Sequence, residues 1–411
     1  MKRILFFILL LSAYALPVVL GQDGLTLERA VSMALRQNPD IAAVEKELAR
    51  SQGKRLQMEA IPDPEIAFSE EGIALSRTGK AASGEREISF GIQQNLEFPG
   101  KRSLRGKIAK YGEDIASLDL EQTRMIIRAR VKRAYYKAKL TERTIAALEK
   151  TSSLLDQLIE TITIRYQAGA AAYSDVLRAK VEKARLQNQV LEERKAWTEN
   201  SAELNLLLGR NGDEPLNLLT DIAYVPFDKS LPQFKDAALS SRPALKIMGL
   251  RLDQAEAGLK LANMNRLPDF SLGLFSPSLR GGAWGFALSF SVPLYWWKKQ
   301  KGELLEAEAD RDISRIESGA RQRRILARID AAYASVKTAE EQVKVFEQKL
   351  LGEMEDELKI SLEYYQYGKM EPFSLLDLYR TYTTTKMEHL KAVYLYLVSL
   401  ADLEIAGEER E

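Results

Sequence analysis

After Lys101 no proline interrupts the chain until Pro215, and over much of that stretch Leu, Ile and Val recur at three-, four- or seven-residue steps among Glu, Lys and Arg. Leu104, Ile108, Ile115, Leu118, Ile126 and Val131 begin the stripe, and Leu140, Leu148, Leu155 and Ile162 continue it. This period predicts one amphipathic helix of about 65 residues, a rod on the order of 100 Å long at about 1.5 Å per residue. A second such run follows Lys298, through Leu305, Ile313, Ile325, Val336, Val343 and Leu358. A compact domain cannot bury rods of that length. Each must lie against neighbours carrying the same stripe, as in a coiled coil or the wall of a helical bundle. The runs, placed at about 101–166 and 298–366, stop at Tyr166-Gln167-Ala168-Gly169 and Tyr365-Gln366-Tyr367-Gly368, where glycine suits a left-handed C-terminal cap. The chain then returns through two further striped helices, about 174–208 and 373–405.

The Tyr-Gln-x-Gly signal is one of several landmarks written twice, roughly 200 residues apart. Ile61-Pro62-Asp63 returns as Leu267-Pro268-Asp269, and Asn38-Pro39 has its counterpart in Arg242-Pro243. So long a period marks duplication of a whole structural unit, not a solenoid of short repeats. The expected organisation is a first unit over 22–210, an irregular connector over 211–232 and a second unit over 233–411. Each unit opens with a proline-broken helix and then carries two short strands. Ile88, Phe90 and Ile92 alternate with Ser89, Gly91 and Gln93, while Trp284, Phe286, Leu288 and Phe290 alternate with Gly285, Ala287, Ser289 and Ser291. Period two with one apolar and one small or polar face is the pattern of a barrel strand. The strands are placed at about 65–70, 87–96, 269–275 and 284–294, so the fold class is mainly α with a β-barrel portion. Four strands cannot close a barrel, and an open edge in lipid leaves backbone groups unpaired at several kcal/mol each. The hairpins are therefore either barrel strands completed by further copies of the chain or soluble hairpins packed on a core.

Composition removes most other classes. Lys2-Arg3 followed by the apolar run from Ile4 to Leu16 reads as a secretion signal, so residues 1–21 are set outside the fold. Cysteine is absent, which excludes disulfides, thiolate chemistry and a lipid-acceptor cysteine after the signal. With 59 basic against 58 acidic residues, no charge excess favours nucleic acid. No phosphate-cradling glycine loop, zinc helix motif or nucleophile elbow occurs, and His389 is the single histidine. Neither an enzyme nor a cofactor or metal site is expected. Tyr295, Trp296 and Trp297, followed by Lys298, Lys299 and Lys301, have the pattern of an interfacial aromatic girdle with cations in the water beyond it.

The whole layout resembles the TolC-type outer-membrane efflux proteins, from Leu25-Thr26-Leu27-Glu28-Arg29-Ala30 through Asn38-Pro39, both hairpins, both glycine turns and the final helix. The resemblance implies a homotrimer in which three chains share one 12-stranded outer-membrane barrel continued by a periplasmic α-helical tunnel. Its implied partners are outer-membrane lipid, a periplasmic adaptor (membrane fusion protein) and an inner-membrane pump. The junction from Gln94 to Arg102 is similar to that of the heavy-metal-efflux branch. The resemblance further implies adaptor contact at the turns of Gly169 and Gly368, and a periplasmic gate at Asp175, Asp377 and Tyr365. A ring of carboxylates there would favour cations and bind divalent ions. Ser374 stands where the family carries a second aspartate, so a weaker gate is expected. Asp175 also suits a plain role as a carboxylate in the first turn of a helix. The expected function is a passive conduit for efflux of small molecules or metal ions, with type I protein secretion and a periplasmic coiled-coil structural or adaptor protein as the alternatives.

Overall fold

The fold is that of a computed structural model, which describes residues 24–71, 87–276, 282–292, 298–347 and 350–406. Residues 1–21, Tyr295, Trp296 and Trp297 lie outside the described residues. The first half runs α1 (Leu27–Gln37), α2 (Pro39–Glu59), β1 (Glu65–Glu71), β2 (Glu87–Leu96), α3 (Lys101–Gln167) and α4 (Tyr173–Leu207). The second runs α5 (Leu231–Ser241), α6 (Pro243–Met264), β3 (Asp269–Ser276), β4 (Gly285–Ser291), α7 (Lys299–Glu347), α8 (Leu350–Gln366) and α9 (Pro372–Ile405). The fold is thus mainly helical with one small antiparallel sheet. The 67-residue α3 is the rod that its stripe implies. Its counterpart is described as two helices, α7 and α8, with residues 348 and 349 between them outside the described set.

The proline-broken helices have a shared physical purpose. Pro39 and Pro243 each occupy a first helical turn, where a missing N–H costs nothing. The residue before each proline closes the end of a returning helix. Asn38 accepts from Asp40 N at 2.9 Å and donates through Nδ2 to the Leu207 carbonyl at the end of α4, also at 2.9 Å. Arg242 donates to the carbonyls of Glu404 and Leu403 at the end of α9, at 3.0 and 3.3 Å. Different side chains at equivalent positions thus satisfy the C-terminal carbonyls that a helix leaves without internal partners.

The four strands pair in the order β1-β2-β3-β4, antiparallel throughout. The register places Ile66 opposite Ile92, Ile92 opposite Leu274, Leu272 opposite Leu288 and Phe270 opposite Phe290, all on one face. At the junction from β2 into α3, Gly100 adopts φ 100°, a left-handed conformation open to glycine at little cost. Asp269 anchors the same junction. Its Oδ1 accepts from Phe98 N and from Lys101 Nζ, each at 2.8 Å, and Lys101 also donates to the Leu267 carbonyl at 2.8 Å. Lys101 is only 5% exposed, so its ammonium needs these partners to be tolerated there.

α3 lies at the centre of the helical assembly, against α2, α4, α6 and α9. Its buried stripe includes Ile127, Val131, Tyr135, Leu148, Leu155 and Ile162. The segment between α4 and α5 is irregular but closely held. Leu218 bridges Leu25 in parallel, the Tyr135 hydroxyl donates to the Leu25 carbonyl at 2.8 Å and accepts from Thr220 N at 2.9 Å, and Lys139 Nζ donates to the Leu218 carbonyl at 2.8 Å. Further along, Tyr396 donates to the Val225 carbonyl at 2.6 Å, Tyr224 to Glu340 at 2.9 Å and Tyr333 to the Lys229 carbonyl at 3.1 Å. The segment is a strap from α3 across to α7 and α9. Tyr135→Phe leaves a buried carbonyl and a backbone N–H without their shared partner, and should cost about 1–3 kcal/mol. Thermal unfolding of the detergent-solubilised protein should show a clear fall in Tm, whereas Tyr111→Phe, on a part of α3 away from the strap, should leave it unchanged.

Candidate functional site

At the end of the rods away from the sheet, α3 and α8 finish in the same local structure. Gly169 and Gly368 have φ of 73° and 74°. Around the first, Gly169 N donates to the Tyr166 carbonyl at 2.9 Å and Ala170 N to the Arg165 carbonyl at 2.8 Å. Around the second, Gly368 N donates to Tyr365 O at 3.0 Å and Lys369 N to Tyr364 O at 2.8 Å. Each pair of bonds is a Schellman cap, closing the last carbonyls of a helix around one left-handed residue. A Cβ on Gly169 would meet nothing within 4 Å, so φ alone selects glycine there.

Tyr365 is fully buried, and its hydroxyl meets no hydrogen-bond partner among the described residues. Burial pushes its phenol above the ordinary tyrosine value; the Arg165 cation opposes that shift and the Asp175 carboxylate adds to it. Arg165 donates through Nη1 to the Tyr365 carbonyl at 2.9 Å, and its guanidinium carbon lies 5.0 Å from the centre of the Tyr365 ring. The end of α3 is thereby tied to the end of α8. Arg165 is a residue that sequence reasoning missed, because its counterpart in the second half is Tyr364 and the repeat gives no sign of it.

The two aspartates are placed differently. Asp175 is half-buried in the first turn of α4, where its carboxylate accepts from Ala172 N at 3.4 Å, the role open to any acid at a helix start. Asp377 is exposed on α9, one turn before Arg380. Arg380 reaches across to the buried Glu182 of α4 at 2.5 Å, a second tie between the halves, and beside it Thr383 and Thr151 share a hydrogen bond at 3.2 Å. The structure therefore brings Tyr365 and Asp175 into one electrostatic neighbourhood and leaves Asp377 on an open surface. Exposed aromatic rings surround the turns: Tyr166, Tyr173, Tyr367 and Phe373.

At the opposite end, the sheet has two unlike faces. Phe286 is 69% exposed, Phe68 68% and Phe290 62%, an apolar surface without cover in the single chain. The other face is polar and hydrogen-bonded along its length. Ser69 and Ser89 lie 2.5 Å apart, Gln93 donates to Ser271 at 2.9 Å and Asn95 to Glu65 at 2.7 Å. Phe275 breaks the alternation by falling on the polar face. Its partner across the ladder is Gly285, where a Cβ would come within 2.7 Å of the ring.

Comparison with known proteins agrees with this geometry over nearly the whole chain. The family described as outer membrane efflux protein matches residues 30–210 and 235–406. The chain is 21% identical over 367 residues to the cobalt-zinc-cadmium resistance protein CzcC of Cupriavidus metallidurans, covering 89% of this chain and 86% of that protein. Among solved structures, CusC aligns with a TM-score of 0.78 at 18% identity, over 93% of this chain and 91% of that one. The CmeC outer membrane channel of Campylobacter jejuni also gives 0.78, at 17% identity over 93% and 86% of the two chains. The family match over both halves, which share one sheet and meet at paired turns, makes this chain a member of the outer membrane efflux protein family, a channel and not an enzyme.

Proposed function

We propose that three copies of this chain close one 12-stranded barrel in the outer membrane and continue it as a helical tunnel into the periplasm. The conduit is passive and receives its cargo from a periplasmic adaptor and an inner-membrane pump. The observation that carries this reading is the sheet, which exposes a continuous apolar face and ends in two unpaired edges, β1 and β4. Lipid tolerates the face and not the edges, so copies of the chain must supply the missing pairing. Ser89, Gln93, Ser271, Ser289 and Ser291 then line the lumen, and Ile88, Ile92, Phe286, Leu288 and Phe290 meet lipid together with Trp284. The similarity to CzcC supports metal ions as the cargo, and the junction from Gln94 to Arg102 belongs to the same reading.

The tips carry the gate. Arg165, Tyr365 and Asp175 join the first-half tip to the second-half tip within a chain, and Arg380 with Glu182 repeats the tie along α4 and α9. Opening requires the tips to part, so an adaptor acts by binding the parted arrangement more tightly. The exposed aromatic rings around Gly169 and Gly368 suit such contact, since aromatic residues are enriched at protein interfaces.

Detergent-solubilised protein should have the mass of a trimer, and a stable monomer would refute the shared barrel. Leu288→Arg puts a cation in lipid at about 2–4 kcal/mol near the midplane and should impair membrane assembly far more than Ser289→Arg. Equal tolerance of the two would reverse the assignment of faces. In a planar bilayer, Asp175→Ala combined with Asp377→Ala should change conductance and abolish block by divalent cations, while Glu308→Ala, on a distant exposed face of α7, should not. A double variant that conducts and is blocked like the parent would place the gate elsewhere.

A further inference from the structure

We propose that the cleft where β2 passes into α3 binds an anionic diacyl phospholipid of the inner leaflet, one per chain. The inference rests on the reading above, that the apolar sheet face meets lipid and the helices lie in the periplasm. The cleft has a volume of about 720 Å³ and lies between the end of α2, the end of β2 and the first turns of α3. Its wall toward the sheet continues the apolar face. Leu96 and Phe270 are cross-strand partners there, and Ile61, Pro62 and Phe98 extend the surface. Its wall toward the helices carries Arg102, Lys107 and Lys110, all exposed.

The charge balance of the cleft singles out an anion. Two carboxylates line it, and each meets an arginine: Glu97 meets Arg105 at 2.7 Å, while Glu59 shares Arg55, at 3.1 Å, with Glu113, which Arg55 reaches at 2.5 Å. Lys110 is paired with Asp114 at 3.2 Å. Among the described residues the ion pairs at this junction are those of Lys101, Arg105 and Lys110 and none is made by Arg102, while the Lys107 ammonium lies 5.6 Å from the centre of the Tyr111 ring. The cations of the cleft left without a carboxylate among the described residues are therefore Arg102 and Lys107, placed immediately beyond the end of the apolar face, and with Glu113 counted the group keeps one net positive charge. A hydrocarbon wall adjoining two unpaired cations matches a molecule with acyl chains at one end and a phosphate diester at the other. A zwitterionic lipid satisfies the wall but brings no net charge to the cations.

The test is native mass spectrometry of the full-length protein in detergent, titrated with phosphatidylglycerol or with phosphatidylcholine of the same acyl chains. The parent should retain phosphatidylglycerol about tenfold more strongly, and that preference should weaken as ionic strength rises. R102A/K107A should lose the preference while keeping the parent's oligomeric mass; R102K/K107R and the distant R315A should keep it. Equal retention of the two lipids by the parent, a preference indifferent to salt, or an undiminished preference in R102A/K107A overturns the site. Should the alanine pair fail to assemble, the salt titration and the charge-keeping pair decide alone. A parent without preference that still has the mass and detergent requirement of a membrane oligomer defeats only this inference. Recovery of the protein in the soluble fraction without detergent defeats the reading beneath it as well.

Discussion

The constraint on which the rest depends is the hydrogen-bonding capacity of two strand edges. β2 and β3 have neighbours on both sides, and β1 and β4 have one each. In water the outer N–H and C=O groups would be solvated at little cost, but beside a surface as apolar as that of Phe68, Phe286 and Phe290 water is what the chain is built to avoid. Under the shared barrel proposed above, the single chain is an incomplete object. Its long exposed helices state the same fact differently: Leu305, Ile313 and Ile316 on α7 and Leu177, Val181 and Leu191 on α4 remain open to solvent.

Within the chain, order is imposed by α3. It begins at the sheet with Gly100 and the Lys101–Asp269 pair, passes under the strap at Tyr135 and Lys139, and ends at the cap of Gly169. Each station joins it to the other half or to the strap between the halves. Lys101 reaches the start of β3, Tyr135 the segment after α4, and Arg165 the end of α8. The two halves of the duplicated chain are thus joined at three levels, although the repeats share few identical side chains.

Much of this was legible in the sequence because it rests on periodicity. The stripe from Leu104 to Ile162, the alternation from Ile88 to Ile92 and the two Tyr-Gln-x-Gly signals report helix, strand and cap through the spacing of residues alone. The proline breaks were visible as well, but their purpose was not, since nothing in Asn38 or Arg242 announces which distant carbonyls they close. The strap was recognisable as irregular, whereas the hydroxyls that fasten it come from tyrosines on helices more than 80 residues away in sequence. The tip was the least legible part. Tyr365 and Asp175 share a neighbourhood only because the end of α8 is tied to the end of α3, from which the chain turns directly into α4, and Arg165 and Glu182 act through partners near the other end of the chain. Phe275 shows the reverse case. It is an aromatic residue at a polar-face position, and what accommodates it, Gly285, lies across the ladder.

The position of the strap along the rods sets a mechanical ratio. Tyr135 is where α3 is pinned, and the roughly 30 residues from there to Gln167 make an arm of about 50 Å. A tilt of about 5° at the pin carries the end of such an arm through about 4 Å, more than the length of the hydrogen bond from Arg165 to the Tyr365 carbonyl. Side chains packed around Tyr135 need shift by only a fraction of an ångström for that to happen. A well-packed middle is thus compatible with the gate proposed at the tips, because leverage turns a repacking too small to open a cavity into a displacement larger than the contacts that tie the tips together.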